Sequence, residues 1–171
     1  MNDKPLAPSS VELLEQRLEQ TQCYHQDFPR EEVLLVRMIK LLHKLISDHS
    51  NSLLREFGLS HTEYHILIGL NSSAEGFSPG EIAEQICEKA ANTTRLLDQL
   101  HHKGLITREP SAGDRRRLIV RATPAATELI EHLLPGVSTQ MQTLFGGLEA
   151  AEREQFKALL GHVIGNLEDH R

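Results

Sequence analysis

Apolar and polar positions along the chain alternate with helical period almost throughout, and only one stretch breaks into short β-type runs. In "PSSVELLEQRLEQ", Val11, Leu14 and Leu18 recur at helical spacing, and Ser9 and Glu12 stand at capping-box separation. They predict a short first helix, which "DFPRE" interrupts because Pro29 begins a helix more readily than it continues one. A long helix is predicted from Glu31 to about Phe57, closed by Gly58 as a C-terminal cap. Its apolar residues from Val33 to Ile46 cover most of the circumference, and a helix apolar nearly all round is expected to be buried nearly all round. In a chain this small, that points to a second molecule on one side.

"LSHTEYHILIGL" opens with Ser60 and Glu63 as another capping box, and "SPGEIAEQI" with Ser78, Pro79 and Glu81 gives the strongest helix start in the chain. After a break near Glu88, "AANTTRLLDQLHHKG" predicts a helix ended by Gly104. "LITRE" and "RLIVRAT" flank the turn-rich "PSAGD" and read as a hairpin. Two further helices follow, one carrying Leu129 to Phe145 and one carrying Phe156 to Leu167. The fold class is therefore mainly α: a helix-turn-helix with a small β-hairpin wing, set between long N- and C-terminal helices.

Composition changes this picture in three ways. At 171 residues the chain suggests one compact domain, or a small domain joined to an oligomerising one. With 4% aromatic residues and no Trp, its core must be mostly Leu, Ile, Val and Ala. No apolar run reaches the length of a membrane span, the N-terminus lacks a secretory pattern, and Cys23 and Cys87 form no CxxC pair. The expected setting is a reducing cytosol, with a cytoplasmic protein that makes no membrane contact.

Charge is distributed unevenly. The formal net charge is −6, yet Lys89 to Arg121 holds eight Lys/Arg against three acids, a local +5. A local basic footprint is what a polyanion partner requires, whatever the average; a solvated charged face is the plainer alternative. On a helical wheel, Thr93, Leu96, Leu97 and Leu100 point inward. Ala91, Thr94, Arg95, Asp98 and His102 point outward, with Asn92 and Gln99 on the shoulders. In a helix-turn-helix the second helix enters the major groove, where an outward Arg can pair with guanine, an Asn with adenine and a small methyl with thymine. Ala91, Asn92, Thr94, Arg95 and Gln99 are the candidate contacts on this helix. Arg115, Arg116 and Arg117 lie on the hairpin loop, where a planar guanidinium fork suits phosphate or a narrow minor groove. Asp114 would repel DNA itself, and its expected task is to orient a neighbouring arginine.

Together "TTRLLDQLHHKGLITREPSAGDRRRLIVRATP" resembles the winged-helix core of the MarR family of bacterial transcriptional regulators, with its TR-L-D-L-KGL segment, wing D-R-R and following Thr. "YHQDFPREEVLLVRM" further resembles the multidrug-efflux repressor subgroup. The resemblance covers roughly residues 24–168. It implies a homodimer built on the first long helix and the last two, and repression by two recognition helices in successive major grooves of a palindromic operator. It also implies release by a small aromatic or lipophilic, often anionic, effector. By position, Thr94, Arg95 and Asp98 take the places of T-R…D, and Asp114 and Arg116 those of the wing D-x-R. The domains expected are a tail and short helix over residues 1–28, a helical dimerisation domain from 29–58 and 124–171, and a winged helix-turn-helix DNA-binding domain over 59–123. The chain departs from the family pattern before Asn92, where Cys87, Lys89, Ala90 and Ala91 replace hydroxyls that cap the recognition helix and touch phosphate. Glu149 likewise stands at a helix start where Ser or Thr is commoner.

Other residues admit more than one reading. His61 and His65 stand at i,i+4, a spacing that can offer two metal ligands, but no Cys or acid cluster completes a site, so no metal and no cofactor are expected. In the family, the helix bearing Tyr64 and His65 lines a cavity. With Arg37, Met38 and His43 on the preceding helix they are candidates to receive an effector, or alternatively serve core packing or a dimer contact. Cys87, just before a helix, and Cys23 are candidate redox sensors or idle thiols. No GxGxxG, P-loop, GxSxG or HExxH is present, so no catalytic residue and no enzyme activity are expected. The alternatives kept open are a winged-helix protein-interaction module and a redox- or metal-responsive regulator.

Overall fold

A computed structural model describes residues 9–111 and 117–170. In chain order it contains α1 (Ser10–Tyr24), α2 (Arg30–Leu54), a 3-10 turn (Arg55–Phe57), α3 (His61–Asn71), α4 (Pro79–Gln85), α5 (Ala90–His102), β1 (Ile106–Pro110), β2 (Leu118–Ala122), α6 (Pro124–Phe145) and α7 (Ala150–Glu168). The chain divides into two compact units between His49 and Ser50, inside α2.

In the first unit the predicted capping box starts α1: Ser9 Oγ accepts from the Glu12 N–H, and Glu12 accepts from the Ser9 N–H. Leu18 is fully buried, whereas Val11 and Leu13 are exposed. Arg30 at the head of α2 pairs with Glu19 at 3.4 Å and with Glu31. The expected all-round burial of α2 is not met within one chain. Between Val33 and Ile46 only Leu34 is buried, and Leu35, Val36, Ile39 and Leu45 are open to solvent.

The second unit holds the winged-helix body. Leu54 and Leu59, the α3 residues Ile66, Leu67 and Leu70, Ile82 of α4, and Leu97 and Leu100 of α5 form one apolar cluster. Ile106 and Val120 from the hairpin and Ile130 and Leu133 from α6 extend it, with Tyr64, Leu96, Leu105 and Ala126. Apart from Tyr64 the buried hydrophobic side chains here are Leu, Ile, Val and Ala, as the shortage of aromatic residues requires. The strands pair antiparallel in the register Ile106↔Ala122 to Pro110↔Leu118. Phe77, before α4, adds a bridge to Val120 through two backbone hydrogen bonds of 2.8 and 3.1 Å. Gly76 makes that bridge possible: its φ is +76°, and a Cβ there would lie 2.2 Å from the Val120 carbonyl oxygen.

Thr123 joins the hairpin to α6. Its side chain caps the Ala126 N–H and also donates to the Gly104 carbonyl at 2.9 Å. Helix α6 runs through Pro135, which the periodicity did not mark as a break. Lacking an N–H, Pro135 gives no hydrogen bond to the Glu131 carbonyl; next to it Gly136 lies close to Leu53, where a Cβ would meet Cδ2 at 3.1 Å. At the start of α7, Glu152 accepts from the Glu149 N–H at 2.7 Å. No side chain of α7 is buried. Among the described residues, no helix is long and apolar enough to cross a membrane.

Candidate nucleic-acid interface

Helices α4 and α5 are the two arms of the helix-turn-helix. The first arm opens on Ser78, whose Oγ accepts from the Glu81 N–H while Glu81 accepts from the Ser78 N–H and Oγ, both at 2.7 Å. Those hydrogen bonds, with the Arg117 guanidinium beyond them, hold the Glu81 carboxyl below the usual carboxylate range. The arm ends in a tight reversal. Cys87 takes a left-handed conformation at φ +54°, unusual for a residue with a Cβ, and the Glu88 N–H donates back to the Ala83 carbonyl at 2.9 Å.

The second arm begins without a side-chain cap. Lys89 occupies the N-cap position and makes no capping hydrogen bond, so the missing hydroxyls noted in the sequence leave the first amides of α5 without that partner. The faces of α5 fall as the wheel predicts. Thr93, Leu96, Leu97 and Leu100 are buried, and Ala91, Thr94, Arg95, Asp98, Gln99 and His102 are exposed, with Asn92 half-buried. Along the exposed face the polar side chains touch one another. Asn92 Nδ2 donates to Glu88 at 2.9 Å, Arg95 donates to Asn92 Oδ1 from Nη2 at 2.8 Å, and Arg95 Nη1 donates to Gln99 Oε1 at 3.0 Å.

Asp98, exposed beside this row, is taken up by the wing: Arg108 of β1 pairs with it at 2.7 Å. The wing is further braced by Arg121 with Glu109 at 3.1 Å, and its neck is closed by Ser111 N–H donating to the Arg117 carbonyl at 2.8 Å. Arg117 is exposed and lies 3.8 Å from Glu81. Asp114, Arg115 and Arg116 lie outside the described residues.

At the other end of α5, Lys103 reaches back to α3. Its Nζ donates to Glu63 Oε1 at 2.5 Å and to the Gly58 carbonyl at 2.7 Å. Burial pushes the Glu63 carboxyl upward, but bonds from Lys103 and Ser60 and the charge of Lys103 outweigh it and hold the group below its ordinary value. Asn51 Oδ1 accepts from the His61 N–H at 2.8 Å, fixing the start of α3 to the end of α2. No local period relates the residues that these long-range ties join, so they are not legible in the sequence. Among their members, Glu63 is the capping-box acid, Gly58 the predicted C-terminal cap and His61 one of the i,i+4 histidines, each singled out in the sequence for a different reason.

The candidate effector residues belong to separate units. Arg37, Met38 and His43 are exposed on α2 in the first unit. In the second, Tyr64 belongs to the buried core and burial raises its hydroxyl pKa. His65 stands edge-on to His61, with centroids 4.4 Å apart, and to Tyr64 at 5.8 Å; desolvation lowers its pKa. A recess of about 470 Å³ lies elsewhere in that unit, lined by Met141, Gln142, Phe145, Gly146 and Arg153. Among the described residues no group of three or more His, Cys, Asp or Glu is placed to hold a metal ion. Cys23 and Cys87 are both exposed.

Comparison with known proteins places this geometry. Residues 59–118 match the MarR family. The transcriptional repressor MprA of Escherichia coli (strain K12) is 28% identical over 161 residues, 94% of this chain and 92% of MprA. The crystal structure of an S. aureus MepR–DNA complex matches with a TM-score of 0.69 and 27% identity, covering 79% of this chain and 95% of that one. A mutant MarR from E. coli complexed with operator DNA matches with a TM-score of 0.72 and 25% identity, covering 80% of this chain and 98% of that one.

Proposed function

Because this chain carries a MarR family domain, and MarR family transcriptional regulators are DNA-binding proteins and not enzymes, we propose that it is a homodimeric repressor of a palindromic operator. The observation that carries this reading is the exposed face of α5. Ala91, Thr94, Arg95 and Gln99 stand outward on a helix whose opposite face is locked into the core. That combination of a rigid support and a polar edge is what major-groove reading needs. Beside it Arg117, next in sequence to Arg115 and Arg116, would meet the sugar-phosphate backbone or the minor groove.

The dimer is inferred from the apolar side chains that one chain leaves open. On α7, Leu159 is 56% exposed and Leu167 is 68% exposed. Contiguous apolar surface of this kind marks an interaction site in a soluble chain. Two identical chains related by a two-fold axis would then present two recognition helices to two half-sites.

Repressor release by a small aromatic or lipophilic anion is the further part of the proposal. The effector would act by preferring a conformation whose recognition helices no longer match the operator spacing. A protein of this kind works where its DNA is, in the cytoplasm.

Fluorescence anisotropy of the full-length protein with labelled DNA from its own upstream region, titrated at several salt concentrations against a scrambled duplex, tests the reading. Tight binding to the first duplex alone, weakening steeply with salt, is expected. Exchanging Arg115, Arg116 and Arg117 together for alanine should flatten the salt slope. A chain that binds neither duplex at low salt is a protein-interaction module instead.

A further inference from the structure

We propose that Glu88 and Asn92 are positioning residues that aim Arg95 at a guanine, and that Asn92 is withheld from reading a base itself. The inference rests on the DNA-binding reading above and gives the exposed face of α5 a division of labour that the sequence alone did not suggest.

An asparagine that reads adenine needs both ends of its amide, the carbonyl for the adenine amino group and the amino group for N7. In this chain both ends are engaged within the protein. Asn92 Nδ2 donates to Glu88 Oε2 at 2.9 Å, and Asn92 Oδ1 accepts from Arg95 Nη2 at 2.8 Å and Nε at 3.3 Å. The chemistry of the neighbours fixes which way the amide faces. An ionised carboxylate only accepts and a guanidinium only donates, so the amino end must turn to Glu88 and the carbonyl to Arg95.

Arg95 is the beneficiary. Asn92 holds one edge of its guanidinium, and Gln99 Oε1 accepts from Nη1 at 3.0 Å on the same helix face. Three of its N–H groups are committed. An arginine side chain has five, which leaves one on each Nη, the pair that a bidentate contact to guanine O6 and N7 uses. An arginine held in place before DNA arrives loses less rotamer freedom on binding than a free one. Glu88 lies in the turn ahead of α5, where the helix lacks a side-chain cap. From there it anchors the start of the polar row, although its own negative charge is unfavourable near phosphate.

The test is selection of bound duplexes from a library with randomised positions, using the full-length chain. The selected half-site is then followed by affinity ratios for guanine against the other bases at each position. The wild type should hold one guanine per half-site with a preference of about 5- to 150-fold, the range of one good bidentate contact. Arg95→Ala should erase that preference. Glu88→Ala and Asn92→Ala should cut it at the same position by at least about fivefold, with other positions retained and the salt slope unchanged, since neither removes a phosphate contact. Glu88→Gln should restore it, because the glutamine carbonyl still accepts from Asn92. A Glu88→Ala chain that keeps the full guanine preference overturns the proposal. So does a Glu88→Gln chain that behaves like Glu88→Ala, or an adenine preference that disappears in Asn92→Ala. A wild-type selection in which Arg95→Ala changes no position overturns this assignment alone, while a wild type that binds no duplex removes the DNA-binding reading along with it.

Discussion

Helices α5 and α7 have comparable patterns in the sequence and opposite fates in the structure. Both place apolar residues at helical spacing. Helix α5 buries Thr93, Leu96, Leu97 and Leu100 against its own chain, whereas α7 buries nothing and leaves Phe156, Leu159, Val163, Ile164 and Leu167 exposed. The amphipathic pattern states which face must leave water. It does not state whether the cover comes from the same chain or from another. In α5 the cover is α4 and β1 of the hairpin; for α7 a second copy is the proposed cover. Separate apolar residues on a surface are ordinary, but five along one helix are a patch.

Charge placed on α7 should separate the two helices most strongly. Leu159→Glu with Ile164→Glu should convert a dimer to a monomer by sedimentation and weaken operator binding by about 100-fold or more, since two linked half-sites gain by avidity in that range. The fold of one chain should hardly notice, because the side chains altered are already in water. If the double variant stays dimeric, α7 is not where the copies meet.

The matching change on α5 should do the reverse. Leu97 is almost fully buried, and Leu97→Ala should cost about 2–5 kcal/mol in denaturant unfolding. Oligomeric state should persist in the fraction that remains folded. A smaller loss is expected where α5 is tied to α3. Glu63→Gln should cost about 1–3 kcal/mol near neutral pH, below the usual figure for a broken buried pair because Lys103 is partly in water. Glu63 is held below its ordinary pKa of 4.5, so its folded state binds the proton less readily than the unfolded chain. Its contribution is therefore complete above about 4.5 and is lost as pH falls through the lower folded value. Wild type and Glu63→Gln should converge in thermal stability in that acid range and separate above it.

These contrasts also mark what the sequence can carry. Caps were legible because their chemistry is local: Ser9 with Glu12, Ser60 with Glu63, and Ser78 with Pro79 and Glu81 all start helices as predicted. The inward face of α5 was legible because four inward positions agree on one period. Contacts between distant segments were not. Nothing local relates Lys103 to Glu63, Asp98 to Arg108, or Phe77 to Val120. The site was legible as a set of outward residues, but their mutual bonds, which decide what each is free to do, depend on rotamers that a wheel does not contain.

The smallest effect is expected at the start of α5. Lys89 is an N-cap without a capping side chain, and a serine there would accept from an amide of the first turn. Lys89→Ser should therefore raise stability by about 0.5–1 kcal/mol, measured by thermal or urea unfolding. In DNA binding the substitution pulls the other way, because it also removes a cation from the basic segment. If Lys89 meets phosphate, the slope of log affinity against log salt should fall by about one unit, while base preference at the Arg95 position stays as it was. Higher stability with a lower salt slope would show that this chain gave up a local cap for an electrostatic contact. Higher stability with an unchanged slope would place Lys89 away from the phosphates and leave the uncapped helix start with no compensating role in DNA binding.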